Sequence, residues 1–542
     1  MHGKWRTLAV GLIGLLAVTC AQPTKSPDTS APSPTPVAEA VAKPAPAASE
    51  PIDVPIYSDK AWAPEGTPHE LLDVVAGDPL VVLSAKDFSS TVASLRDTPA
   101  FAAHEKSRDR EAYEKSHLAL KFEDRLRTFS DFVGHEVRWE TLMELAGDHL
   151  VFALYDIGEL KFVLLSRMDT TGQAALDYLK PLDSLDTRLV GERLYHVKED
   201  PDLGLSLAFY RTDDLILIAT DIAMADATLR NLGPNKSPER FTQRSTFAMP
   251  ANAAPDVTVS GTLLYLDMAR LLEDRYFRFY WIFNNLPRQN DVLSVVSGIT
   301  PTRDGYREQR VLLGPQRASV PALSIENFDG LRHSGPCADN AKESAFEFLS
   351  WPPKADDGAI SCDAMLQAMR AVKDESGLVR IAKGLALRVS GAADVTAIAN
   401  SLAKSGNDAM LIPANVAETT AHGDVTVVRN AMGGGAFLAR DGELLFLAND
   451  EALLADLRKS VTSGDDVMVE QSAIDLAHQA ELFAEAFRQM GPDGTFDDLG
   501  AGGFFAEELA ETLDAAALAP SLTMRAWSIG DGLMRQDVAY GE

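Results

Sequence analysis

Short apolar runs broken by turn residues set the architecture of this chain. His149–Tyr155 and Lys161–Leu165 alternate or run apolar as strands do, with Asp156-Ile157-Gly158-Glu159 as the turn between them. A helical period follows over Gly172–Leu182. Strands return at Leu194–Val197, Leu205–Tyr210 and Leu215–Thr220, and a helix spans Ile222–Leu232. The second half has the same grammar. Leu385–Val389 reads as a strand and Asp394–Lys404 as a helix; Val425–Arg429, Ala436–Ala439 and Leu444–Ala448 read as a meander, and Glu451–Ser460 as a helix. Thr212-Asp213-Asp214 and Asp441-Gly442 sit where tight hairpins need Asp or Gly. Hairpins join antiparallel strands, so the expected class is α+β rather than a doubly wound parallel sheet.

The two halves also match residue by residue. Leu215–Asp221 corresponds to Leu444–Asp450 at a shift of 229, Ala208-Phe209 to Ala436-Phe437 and Leu229-Arg230 to Leu457-Arg458 at 228, and Asp304-Gly305, Gln309 and Val311 to Asp531-Gly532, Gln536 and Val538 at 227. A shift held this closely over about a hundred positions is a duplication rather than chance agreement of apolar runs. The expectation is two diverged copies of an antiparallel sheet with helices packed on one face. They cover 57–318 and 319–542 and join around Pro315–Pro321.

The first fifty-six residues follow a different pattern. Lys4 and Arg6 precede an apolar run, Leu8–Val18, that ends at Ala17-Val18-Thr19-Cys20. That run rises roughly 16 Å as a helix, about half a bilayer core, too short for a permanent span. It resembles the lipobox of bacterial lipoproteins, although Ala17 and Thr19 depart from the favoured Leu and Gly or Ala. The resemblance implies lipidation of Cys20 (palmitate among the acyl chains) and, with Ala21 following, an outer-membrane address facing the periplasm. Ordinary secretion with cleavage near Ala21 is the alternative. Residues 21–56 hold nine prolines and no aromatic, the composition of a disordered tether. At ~3.1 Å per residue such a tether reaches on the order of 100 Å.

With Cys20 lipidated, two of the three cysteines remain, Cys337 and Cys362. In an exported chain an even remainder points to one disulfide, and closing that loop contributes about 3 kcal/mol. Two buried thiols are the alternative. Metal binding is the weaker reading, since no histidine lies between the two cysteines.

The strand-and-turn pattern of the first copy resembles bacterial envelope proteins of unknown function from acidobacteria and other Gram-negative groups. The matching segments are Gly147–Ile157, Val163–Met168 and Ala208–Thr220. The resemblance implies a fold and an envelope location but no activity.

Charge and motifs then remove classes of function. The net charge of −29 repels a phosphate backbone, so nucleic acid is not an expected partner. No G-x-S-x-G, H-E-x-x-H or P-loop pattern occurs, and no cofactor or metal is expected. Gly233–Ser237 reads as the loop after a helix, Met432–Gly435 and Asp200–Gly204 as turns, and Asp493–Asp498 as an acidic loop without the calcium-loop order. The histidines are scattered; His149 and His196 lie in strands and read as satisfied, half-buried groups. Glu105–Arg127 reads as a solvated helical hairpin.

One segment stands apart: Tyr276, Phe277, Phe279, Tyr280 and Trp281, punctuated by Arg275 and Arg278, read as a helix continuing from Leu264 through Leu272. It is a candidate partner-binding surface, with a helix buried between the copies as the alternative. The expected function is a non-enzymatic envelope lipoprotein that binds or scaffolds another protein. A periplasmic hydrolase with dispersed site residues, or a binder of a lipid or other apolar ligand, are the alternatives.

Overall fold

A computed structural model describes residues 56–58, 62–63, 67–98, isolated positions between 102 and 136, and 147–167, 186–274, 292–337, 362–405, 418–490 and 521–540, with short gaps within the later stretches. The export signal, the tether, the helix expected over Gly172–Leu182 and the aromatic segment after Asp274 lie outside the described residues.

The first copy contributes β1 (Val81–Lys86), α1 (Phe88–Arg96), β2 (His149–Asp156), β3 (Lys161–Arg167), β4 (Asp186–Val190), β5 (Arg193–Asp200), β6 (Leu205–Arg211), β7 (Leu215–Ala219), α2 (Ile222–Asn231), α3 (Ser245–Ala253), β8 (Thr262–Leu266), α4 (Met268–Glu273), β9 (Ser294–Pro301) and β10 (Tyr306–Leu313). Its strands lie side by side in the order β4-β5-β6-β7-β3-β2-β1-β8-β9-β10, every neighbour antiparallel.

The second copy contributes β11 (Val320–Ile325), β12 (Gly330–Pro336), β13 (Cys362–Lys373), β14 (Val379–Val389), α5 (Val395–Ser405), β15 (Glu418–His422), β16 (Val425–Arg429), β17 (Gly435–Asp441), β18 (Leu444–Ala448), α6 (Glu451–Ser460), β19 (Val461–Met468), β20 (Glu470–Asp475), α7 (Ala480–Met490), β21 (Ser521–Gly530) and β22 (Leu533–Tyr540). The order β15-β16-β17-β18-β14-β13-β12-β20-β21-β22 repeats that of the first copy strand for strand. β11 and β19 form a separate ribbon.

The copies join through their last strands. Tyr306–Leu313 of β10 pairs antiparallel with Tyr540–Leu533 of β22, so twenty strands form one continuous sheet. Equivalent strands meeting antiparallel is the self-complementary arrangement of a two-fold interface, here within one chain.

Side-chain alternation divides the sheet into two apolar faces. In the first copy Ala225 and Leu229 of α2 pack with Val163, Leu165, Leu217 and Ala219. In the second, Leu453, Leu454 and Leu457 of α6 pack with Ala382, Ala386, Phe446 and Ala448. Both helices start from an aspartate cap: Asp221 accepts from Met224 N, and Asp450 accepts from Leu453 N. The α+β class and the antiparallel pairing are those expected from sequence. The structure adds helices on the reverse face as well. There α5 (Ile398, Ala399) and α7 (Phe483, Ala486) cover Leu385, Leu387, Leu445 and Leu447, and α4 (Met268, Leu271) covers Leu264, Leu266 and Ile299.

The helix expected from Leu264 is corrected. Thr262–Leu266 is the strand β8, buried at all five positions between β1 and β9, and the helix begins only at Met268, capped by Asp267. A strand buried on both faces has no polar alternation, which makes a short apolar run ambiguous.

Candidate functional site

The described interior holds a hydrogen-bonded chain of three side chains at one end of β1, β2 and β8. Ser84 sits on β1 within Val-Val-Leu-Ser-Ala-Lys, a polar residue in an otherwise apolar run, and is 0 % exposed. His149 opens β2 next to the β1 terminus. His69 precedes the 3-10 turn Glu70–Val74, whose Leu71, Leu72 and Val74 anchor it on the core. Ser84 Oγ lies 2.8 Å from His69 Nδ1 and 3.0 Å from His149 Nε2, and His69 Nε2 lies 2.7 Å from the Ser260 carbonyl.

The carbonyl fixes the direction of every bond. Burial lowers the pKa of His69 to about 4, outweighing the opposing effect of its bond to Ser260, so the ring is neutral near pH 7. A carbonyl only accepts, so the hydrogen of His69 is on Nε2 and Nδ1 is an acceptor. Ser84 therefore donates to His69, and its own oxygen accepts from His149 Nε2–H. His149 is lowered further, to about 3, by burial first and then by the charges of His69, Arg167 and Lys86.

This connectivity, hydroxyl to imidazole to an orienting acceptor, is that of an activated nucleophile. Access is what it lacks. With Ser84 fully buried and His149 5 % exposed, no substrate carbonyl can approach Oγ in this conformation, and the cluster joins elements rather than facing solvent.

Among the described residues the second copy has no counterpart chain. Leu215 and Leu444 are equivalent in sequence and pair with Arg167 and Arg388. These in turn pair with His149 and Ala364, which pair with Lys86 and Pro336. By this register Ser84 matches Ser334, whose buried hydroxyl has no hydrogen-bond partner among the described residues.

Of the residues singled out in sequence, Cys337 and Cys362 are brought together in a disulfide with Cα atoms 5.8 Å apart. Cys20 and Tyr276, Phe277, Phe279, Tyr280 and Trp281 lie outside the described residues. His149 is the satisfied histidine expected. His69 and Ser84 carried no motif; the lone polar position inside the β1 run was their only signal.

A shallow open depression beside the start of α2, lined by Glu199, Asp200, Ser206 and Asp221, is acidic. Among the described residues no group of three or more His, Cys, Asp or Glu is placed to hold a metal ion, and no helix is long and apolar enough to cross a membrane. Compared with known proteins, the chain matches no family model, no curated protein and no solved structure.

Proposed function

We propose that the protein is an envelope lipoprotein, held to a membrane by lipid on Cys20, whose duplicated body binds or scaffolds another envelope protein without catalysing a reaction. The observation that carries the reading is the Cys337–Cys362 disulfide. Such a bond persists in an oxidising compartment, and it leaves Cys20, at the end of an export-type segment, as the remaining cysteine of three. The long continuous sheet supports a platform role. The sealing of Ser84 weighs against the hydrolase reading.

Two measurements test the halves of this proposal separately. Palmitate label is expected on the wild type and lost in Cys20→Ala; label that persists rejects the anchor. Crosslinking in intact cells followed by purification is expected to recover one envelope protein in near-equal amount. Recovery of none, together with hydrolysis of ester substrates by the purified body, would replace scaffolding with catalysis.

A further inference from the structure

The two copies leave the same point of the sheet and close it by unlike means. In the first, β1 ends at Lys86, paired with His149, and Asp87 N donates to Asp148 O at 2.8 Å. In the second, β12 ends at Pro336, paired with Ala364, and Cys337 N donates to Asp363 O at 3.0 Å. One residue past the strand end, the second copy carries the Cys337–Cys362 disulfide. At the corresponding place the first copy has Asp87 and no cysteine. There the His149–Ser84–His69–Ser260 chain ties β2, β1, the 3-10 turn and the loop before β8 to one another.

We infer that this chain is a proton-sensitive clasp, the counterpart of the Cys337–Cys362 disulfide, and that acid opens the first copy at the Lys86–His149 end while reduction opens the second.

The hydrogen-bond count makes the clasp sensitive to a proton. Three hydrogens fill three links, and the only direction the Ser260 carbonyl permits uses all of them. A proton added to His69 must go on Nδ1, which turns the acceptor of the Ser84 hydroxyl into a donor. Ser84 Oγ then either accepts from both rings and orphans its own hydrogen in a fully buried site, or donates to His149 Nε2 once that ring has moved its hydrogen to Nδ1; each course reverses the chain around a buried cation. A proton added to His149 Nδ1 keeps the chain but buries a cation beside others. The surrounding charges do not favour either cation. Lys86 on β1 and Arg167 on β3 oppose it. The acids near Arg167, Glu70 in the 3-10 turn and Asp214 before β7, are engaged with that arginine at 2.9 and 3.1 Å. Asp87 and Asp148 flank the strand ends outside the core, the loop before β8 offers Ser260, and β8 itself begins with the uncharged Thr262. Burial keeps both imidazoles neutral until the medium is well below their ordinary range.

Hydrogen exchange on the full chain, corrected for intrinsic rate, tests the inference without depending on the lipoprotein reading. Protection is compared between peptides from 67–98 and 147–167 and peptides from 330–337 and 362–389. Going from about pH 7 to about pH 4.5 is expected to cut protection on the order of tenfold in the first set and leave the second unchanged. A dithiol, which is oxidised as it converts the disulfide to two thiols, is expected at neutral pH to do the reverse. In the variant His69→Gln with His149→Gln, whose amides can bond but not titrate, the acid effect is expected to disappear. Equal loosening of both copies by acid, no loosening of the first copy, or the same acid effect in the double variant overturns the clasp. Should the double variant not fold, the opposite responses of the wild-type copies to acid and to dithiol decide alone.

Discussion

At the scale of single residues, Ser84 and Ser334 occupy matching positions with opposite hydrogen-bond status, which predicts opposite mutational responses. Ser84→Ala leaves His69 Nδ1 without its donor and the His149 N–H without its acceptor in a sealed site, a loss of about 1–3 kcal/mol. Ser334→Ala removes a hydroxyl that has no partner among the described residues, and stability is expected to change by no more than about 0.5 kcal/mol. Paired denaturant titrations check this; a larger loss in Ser334→Ala than in Ser84→Ala would refute the assigned network. The histidines add a pH dependence whose sign is fixed. Both are bases held below their ordinary 6.5, His69 at about 4 and His149 at about 3, chiefly by burial. The unfolded chain takes up protons near 6.5 that the folded chain refuses, so their contribution is complete above that value and is lost as pH falls toward 4 and then 3. For His69 alone the loss is on the order of 3 kcal/mol. The denaturant midpoint of the wild type should therefore fall more steeply between about pH 7 and about pH 4.5 than that of His69→Gln; parallel curves would remove His69 as the cause. The sequence showed a polar position in the β1 run and a histidine opening β2 but not their connection, because hydrogen-bond partners separated by 15, 65 and 191 positions meet only through the sheet.

At the scale of elements, the strands with hairpin turns were legible almost to the residue. Val425–Arg429, Leu444–Ala448 and the helix Glu451–Ser460 stand as read, because tight turns and aspartate caps mark their ends locally. β2 and β3 were read as well, but β1, β8, β9 and β10 were not. From β7 to β3, β2 and β1 the offset between copies runs from 229 to 221, 215 and 250, since the connections differ in length. No fixed sequence shift follows that drift. The structural register exposes a size exchange hidden from the sequence. Val163 and Gly384 are equivalent through their pairing with Ala219 and Ala448, and Gly384 lies directly under Leu453 and Leu457 of α6. At Gly384 a strand residue without a side chain meets two leucines, which keeps the helix seated on the sheet. A Cβ at Gly384 would lie 2.5 Å from Leu457 Cδ1 and 3.1 Å from Leu453 Cδ2. Gly384→Ala is expected to cost about 1–3 kcal/mol through overpacking, and Leu457→Ala in the same chain to recover part of it. Purely additive losses in the double-mutant cycle would mean that the two side chains do not compete for the space.

At the scale of the whole molecule, the question is whether two copies that share one sheet behave as one unit. Each copy has its own core on both faces, and what crosses between them is the eight-residue β10–β22 pairing together with Arg535, which reaches Asp256 at 2.7 Å. Leu533 of the second copy also belongs to the first copy's core. A seam of this kind is made of backbone bonds and is legible only once strand order is known; the duplication predicted two copies but not how they meet. Val538 is the sensitive position. It is 6 % exposed and lies between Glu308 of β10 and Met524 of β21, so its backbone serves an inner ladder. Val538→Pro removes a donor from that ladder and places a ring where the strands are closest, at a cost of about 3 kcal/mol or more. If the seam carries the coupling, the wild type unfolds in one calorimetric transition, and the variant separates into two, the first copy melting apart from the weakened second. An unchanged single transition in Val538→Pro would place the coupling in the side-chain contacts around Arg535 and Leu533 instead, because those survive when the ladder is broken.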